Sequence, residues 1–185
     1  LFLICTGARV AEALDLKWDE LDLVGARATL WTKASSRRRR HRRVVELPPR
    51  LIDTLQALPH REGPVFTWET KRSLRKRDGQ PKRIAAYADR DREGGGQIKK
   101  GFAGAVKRAG LDSAITPHSL RHTYASWHYA LHRNPLKLMV DGAWSSLKLV
   151  ERYAHLLPEG FEDAIRVFQG WPRMDTKTEE KRASA

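Results

Sequence analysis

The sequence predicts a mostly α-helical α+β domain with a small antiparallel β-sheet. Apolar residues recur at intervals of three and four in most segments, which is the helical period. Two β-rich runs, "ARATLWTK" and "RRVVEL", flank one basic stretch and read as a hairpin. Residues 67–97, basic, Gly-rich and poor in large apolar side chains, read as a long surface loop with at most a short helix. At 185 residues the chain can bury one core. We take 1–170 as one domain and 171–185, which lack periodicity, as a disordered tail. The opening "LFLICTG", with neither Met nor a polar lead-in, reads as the cut end of a buried helix or strand in a longer protein.

In chain order, Thr6 is a good N-cap for a short helix carrying Val10, Ala13 and Leu14, ended by "DELD". The hairpin follows, its tip being "ASSRRRRH". Pro49 suits the first turn of "PPRLIDTLQAL", and "GPVF" is a short extended piece. Ile98, Phe102 and Val106 recur every four residues in a helix closed by Gly110. Thr116 caps and Pro117 begins the clearest helix, whose apolar stripe is Leu120, Tyr124, Trp127 and Leu131. After "GAWSS" come helices in "LKLVERYAHLL" and "PEGFEDAIRVF".

Charge narrows the partners. Thirty-five Lys and Arg against 22 Asp and Glu give a net charge of +13, which suits a polyanion and salt-dependent binding. DNA, RNA, an anionic membrane surface and an acidic substrate all fit this composition. The opening is too short for a signal peptide, and no later run approaches a membrane span. A single cysteine, Cys5, rules out a disulfide within the chain and suits a reducing cytosol.

"HSLRH" carries His118, Arg121 and His122 at i, i+3 and i+4, on one helical face. As metal ligands the histidines lack support: Ser119 stands where a zincin needs Glu, no cysteine is near, and no acid lies between Ala114 and Val140. With the Leu120–Trp127 stripe docked, the basic face points outward at a helix N-terminus, where anions are favoured. That face is either a phosphate grip or a solvated helix start. Read alone, Arg9 and Glu12 of "TGARVAEAL" form a surface ion pair. Tyr153, at the edge of a Leu147, Val150, Ala154, Leu157 stripe, reads alone as an aromatic at the core margin.

Taken together and in this order, the pieces resemble the catalytic domain of tyrosine recombinases, the phage-integrase family. That family's pattern runs Thr-Gly-x-Arg-x-x-Glu, a hairpin lysine, His-x-Leu-Arg-His, and a His or Trp nine residues before a Tyr. Here the text is "TGARVAE", Thr32-Lys33, "HSLRH", Trp144 and Tyr153, nine residues apart, over roughly 1–160. Where the family more often has Leu-Gly-His, this chain has "DGAW". The family's upstream helices and N-terminal DNA clamp are not in this sequence.

The resemblance implies site-specific DNA recombination and integration by transesterification. Tyr153 would attack a phosphodiester and form a 3′-phosphotyrosine, without ATP, metal or other cofactor. Arg9 and Arg121 would neutralise the phosphorane through bidentate contacts. His118 would be the base, since a phenol with a pKa of about 10 needs help near neutral pH. Lys33 would protonate the leaving 5′-oxygen, and Trp144 would donate its indole N–H. Glu12 and His122 would be supporting residues that orient the others. Arg37, Arg38, Arg39, Arg40, Arg42 and Arg43 would meet the DNA backbone. Implied partners are double-stranded DNA, three further copies in a tetramer that exchanges C-terminal helices, and accessory DNA-bending proteins. The implied setting is the cytoplasm of a bacterium, at the nucleoid, for a host- or phage-encoded protein. The same residues also suit a type IB topoisomerase-like relaxing enzyme, and the basic surface alone suits an inactive DNA-binding fragment.

Overall fold

The computed structural model describes residues 1–32, 41–69, 84–86, 96–153 and 160–173. Two short helices, α1 (Phe2–Thr6) and α2 (Val10–Leu14), open the chain. Thr6 closes the first rather than opening the second: its hydroxyl donates to the Phe2 carbonyl at 2.7 Å and accepts the Ala8 N–H at 3.3 Å. Gly7 turns the chain with φ +61°, and a Cβ there would meet the Tyr124 ring at 2.3 Å, so both backbone and space require glycine. Arg9 is the N-cap of α2, and Glu12 reaches back to accept its N–H at 3.0 Å.

After a 3₁₀ turn at Trp18–Glu20, β1 (Leu21–Asp22), β2 (Arg27–Trp31) and β3 (Arg42–Glu46) form an antiparallel sheet in that order. Ala28 pairs with Val45 and Leu30 with Arg43. Directly opposed residues share a face, so Arg43 lies on the side that buries Leu30, Val45 and Leu47. At the hairpin neck Thr32 and His41 exchange hydrogen bonds: Thr32 N–H to the His41 carbonyl at 2.9 Å, His41 N–H to Thr32 Oγ1 at 2.8 Å. Lys33 and Arg37 to Arg40 lie outside the described residues.

Helix α3 (Pro49–Gln56) has proline in its first turn, as expected, and buries Leu51 and Leu55. The loop expected over 67–97 contains an antiparallel pair instead, β4 (Thr67–Glu69) with β5 (Ile84–Ala86). It also contains the start of α4 (Gly96–Arg108), which ends before Gly110 at φ +66°. The rest of that segment lies outside the described residues, as do 154–159 and 174–185, where most of the expected tail falls.

Helix α5 (Pro117–His132) departs from its apolar reading. Arg121, Tyr124, Ala125, His128 and Ala130 are buried, while Leu120, Trp127 and Leu131 are only half-buried. The helix therefore turns toward the core the face that begins with a guanidinium. Helix α6 (Pro135–Asp141) is capped by Asn134, whose side chain accepts the Lys137 N–H at 3.0 Å. Helices α7 (Leu147–Glu151) and α8 (Glu162–Gln169) follow. The α8 helix rests on α3 and α5 through buried Ile165 and through Phe168, whose ring lies 5.0 Å from Trp127.

Two apolar clusters result. One joins α1, the sheet and α3 around Phe2, Leu16, Leu30 and Leu51. The other joins α5, α6 and α7 around Ala125, Leu138 and Val150 and includes Tyr153. The candidate site occupies the seam between them. No described helix is long and apolar enough to cross a membrane.

Candidate active site at the C-terminal end of α6

The last carbonyls of a helix lack partners within it and carry the negative end of its dipole. At the end of α6 some are met by the following turn: Gly142 N–H donates to Leu138, Ala143 to Val140 and Trp144 to Met139, at 3.0–3.1 Å. The next three carbonyls are met by three arginines. Arg43 Nη1 donates to Asp141 O at 2.6 Å, Arg121 Nη2 to Gly142 O, and Arg9 Nη2 to Ala143 O at 3.2 Å. Strand β3, helix α5 and the start of α2 thus deliver cations to consecutive peptide oxygens. Gly142 is required there, because a Cβ would fall 1.6 Å from the Trp144 ring. Ala143 follows with φ +51°, left-handed backbone that turns Trp144 beneath Arg121.

Arg121 is the deepest of the three, at 3% exposure. Its other arm donates to Gly7 O, and its Cζ sits 4.1 Å from the Trp144 ring centroid. Burial, then repulsion from Arg9 and Arg43, pulls its pKa down to about 10, which leaves it a cation at neutral pH. Arg9 and Arg43 share Glu12, itself buried. Its Oε1 accepts from Arg9 Nη1 at 2.7 Å, and its Oε2 from Arg43 Nη2 at 2.9 Å and from the Arg9 backbone. Burial alone would raise the Glu12 carboxyl, but Arg43 and Arg9 outweigh it and hold the group below its ordinary value. The Asp141 carboxylate is engaged elsewhere, by His128 at 2.8 Å and Lys137 at 2.6 Å. Three guanidiniums against the Glu12 carboxylate leave a local surplus of two positive charges. Arg9, with a side chain 45% exposed, opens that surplus to solvent.

Beside the cluster stands Tyr153, just past α7 and 3% exposed. Its hydroxyl lies 2.6 Å from His122 Nδ1 and accepts from Arg152 Nη2 at 3.1 Å. Its ring centroid is 6.0 Å from that of Trp144. The exposed His118 ring stands edge-on to His122 at 4.8 Å. Burial, followed by the charges of His118, Arg152 and Arg121, keeps the His122 pKa below its ordinary value.

Arg9, Glu12, Arg121, His122, Trp144 and Tyr153 are therefore drawn together, with His118 one ring removed and Lys33 outside the described residues. Two expectations change. The His118–Arg121–His122 face does not point outward as a unit, because Arg121 is turned into the core. Arg43, expected on the DNA backbone with Arg42, is instead an internal ion pair whose side chain is 8% exposed, while Arg42 is exposed. Sequence reasoning did not single out Arg152, and it gave Arg43 an outward role in place of the internal one. For Arg43 a signal existed, since it alternates in phase with Val45 and Leu47.

An arginine cluster with surplus positive charge, beside a held tyrosine hydroxyl in a helical domain with a small sheet, defines a class of proteins whose site attracts anions. The sequence profile of the phage integrase family matches residues 1–159, and the chain belongs to that family. The integrase of Salmonella phage P22 is 28% identical over 166 residues, which is 89% of this chain and 40% of that protein. The catalytic domain of bacteriophage HP1 integrase is 26% identical with a TM-score of 0.54, covering 89% of this chain and 77% of that one. XerA recombinase shares the fold with a TM-score of 0.61 at 19% identity, over 93% of this chain and 55% of that one.

Proposed function

We propose that residues 1–170 are the catalytic part of a site-specific DNA recombinase that breaks and rejoins strands through Tyr153. The observation that carries this reading is the approach of Arg9 and Arg121 to neighbouring carbonyls beside the tyrosine hydroxyl. A scissile phosphate entering past Arg9 meets two guanidiniums already oriented by peptide oxygens, Glu12 and the Trp144 face. The phosphorane adds negative charge where positive charge is in surplus, so the transition state gains more than the ground state. Tyr153 Oη bonds to phosphorus as the bond to the 5′-oxygen breaks, and Lys33 gives that oxygen its proton. Energy stored in the phosphotyrosine bond drives rejoining without a cofactor. The +13 charge supplies general affinity for duplex DNA, through Arg42 and the arginines at 37–40.

The reading extends to a tetramer on two DNA sites, assisted by DNA-bending proteins, in the bacterial cytoplasm at the nucleoid. The amphipathic α8, which follows the nucleophile closely in sequence, would be exchanged between neighbours. A complex that stays monomeric on captured DNA removes that extension.

The deciding experiment offers the chain a library of nicked duplexes with randomised sequence and isolates covalent adducts. Wild-type protein forms a 3′-linked adduct, Tyr153→Phe binds without forming one, and Arg121→Lys binds but cleaves about 10²-fold more slowly, since lysine cannot copy the fork. An adduct that persists in Tyr153→Phe overturns the assignment. Supercoils relaxed without exchanged strands indicate the topoisomerase-like activity, and binding without any adduct indicates an inactive fragment.

A further inference from the structure

Among the described residues the tyrosine hydroxyl touches two side chains, and neither is His118. His122 Nδ1 lies 2.6 Å from Oη, well within reach for proton transfer, and the two rings are tilted by 36° with centroids 5.9 Å apart. Arg152, the residue before the nucleophile, donates Nη2 to the same oxygen at 3.1 Å and carries its guanidinium 5.1 Å from the ring centroid. Two positions thus flank the reacting atom, one suited to accept a proton and one that is permanently cationic.

We infer that His122 takes the proton from Tyr153 Oη as that oxygen attacks phosphorus, while Arg152 holds the negative charge that develops on it. The inference rests on the reading of Tyr153 as nucleophile and reassigns the base within it. Bonds balance as follows. The Oη–H proton passes to Nδ1, the Oη–P bond forms, and the P–O5′ bond breaks with its electron pair on O5′, which takes a proton from Lys33. On rejoining, the 5′-hydroxyl attacks phosphorus and gives its proton back to Lys33, the Oη–P bond breaks, and Oη takes its proton back from Nδ1. No electrons are gained or lost.

The surroundings fit a base that begins neutral. Among the described residues, the groups facing His122 are His118 and Arg121 from its own helix, and Arg152 and Tyr153 from the end of α7. None of these is a carboxylate, so the resting imidazole keeps a lone pair for the phenol. Incoming phosphate supplies the negative charge that stabilises the imidazolium once it forms. Helical geometry adds economy: Arg121 and His122 are consecutive, about 100° apart around α5. One therefore faces the carbonyl turn while the other faces the tyrosine. His118, exposed and one turn earlier, remains on the solvent side.

The test compares His122→Gln, His118→Gln and Arg152→Ala in adduct formation on DNA recovered from the randomised library, from pH 5.5 to 9. Glutamine at 122 can hold the hydroxyl but cannot titrate. Its adduct rate should fall about 10²-fold at neutral pH with DNA affinity changed less than about 2-fold. That rate should climb with pH where the wild type has levelled off, and a fluorotyrosine of greater acidity at 153 should restore it. His118→Gln should keep the wild-type shape of the pH profile whatever its absolute rate, and Arg152→Ala should be slower throughout. A His122→Gln rate and profile matching wild type, with Tyr153→Phe inactive, overturns the role of His122 and leaves the nucleophile assignment standing. A second measurement needs no turnover: the ¹⁵N shifts of His122 in the DNA-free chain. Proton on Nε2 and none on Nδ1 is required, and a protonated Nδ1 at neutral pH overturns the inference whatever the DNA assay gives.

Discussion

Replacing Glu12 by glutamine changes one atom's chemistry at the centre of the arginine cluster. The carboxylate accepts three hydrogen bonds, from Arg9 Nη1 at 2.7 Å, Arg43 Nη2 at 2.9 Å and the Arg9 backbone at 3.0 Å. A glutamine oxygen placed at the Oε2 position keeps the last two. Its amide nitrogen then faces Arg9 Nη1, but that side chain is 45% exposed and can turn to water, at a cost under about 1 kcal/mol. The large effect is the missing charge. Arg43, with an 8% exposed side chain, loses its counter-ion, and breaking one side of a buried pair costs roughly 3–5 kcal/mol. The retained hydrogen bond and the Asp141 carbonyl offset part of this, so we expect about 3 kcal/mol. With an m-value of about 2 kcal/mol/M, the urea midpoint at pH 7 should drop by about 1.5 M.

The pH dependence has a fixed sign. The Glu12 carboxyl titrates lower folded than unfolded, so its contribution is complete above the unfolded value of about 4.3 and is lost as pH falls through the lowered folded value. The gap between wild type and Glu12→Gln should therefore narrow in acid. A midpoint within about 0.3 M of wild type at pH 7, or a gap that widens in acid, would refute the reasoning.

Two further outcomes are expected. Gly142→Ala drives a methyl into the Trp144 ring, which must leave Arg121. The thermal midpoint should fall by an amount equivalent to about 2 kcal/mol, and fluorescence should report a displaced tryptophan. Burial pushes the His128 pKa down to about 4 against the pull of Asp141, so the unfolded chain binds the extra proton first. Stability should fall by on the order of 3 kcal/mol as pH drops from about 6.5 to about 4, and then level off. In His128→Gln most of that slope should vanish, and an unchanged slope in urea titrations counts against it.

The candidate side chains were legible because their chemistry is specific and their spacing rigid. Arg9 with Glu12, Arg121 in "HSLRH", and Trp144 nine residues before Tyr153 could be read from the sequence alone. The helices, the hairpin and the proline starts of α3 and α5 were also readable, since apolar period and capping chemistry are local. What escaped was long-range. A hydropathy period counts arginine as polar, so it rotated α5 to bury Leu120 and Trp127, whereas the core side begins at Arg121. Arg43 was absorbed into its basic run, although strand alternation aligned it with Val45 and Leu47. Thr6 suits the start of one helix as well as the end of another, and only the packing of Gly7 on Tyr124 decides between them.

The turn after α6 also determines how mutation is felt here. What anchors Arg43, Arg121 and Arg9 is peptide oxygen, which every residue type possesses, so substituting a side chain at 141 or 143 leaves the anchors in place. Changing the number of residues does not. One residue added or removed between Asp141 and Trp144 shifts every oxygen by a position, and all three cations lose their seats together. Gly142 apart, the turn tolerates a change of side chain better than a change of length, because the site is registered to the count of its backbone.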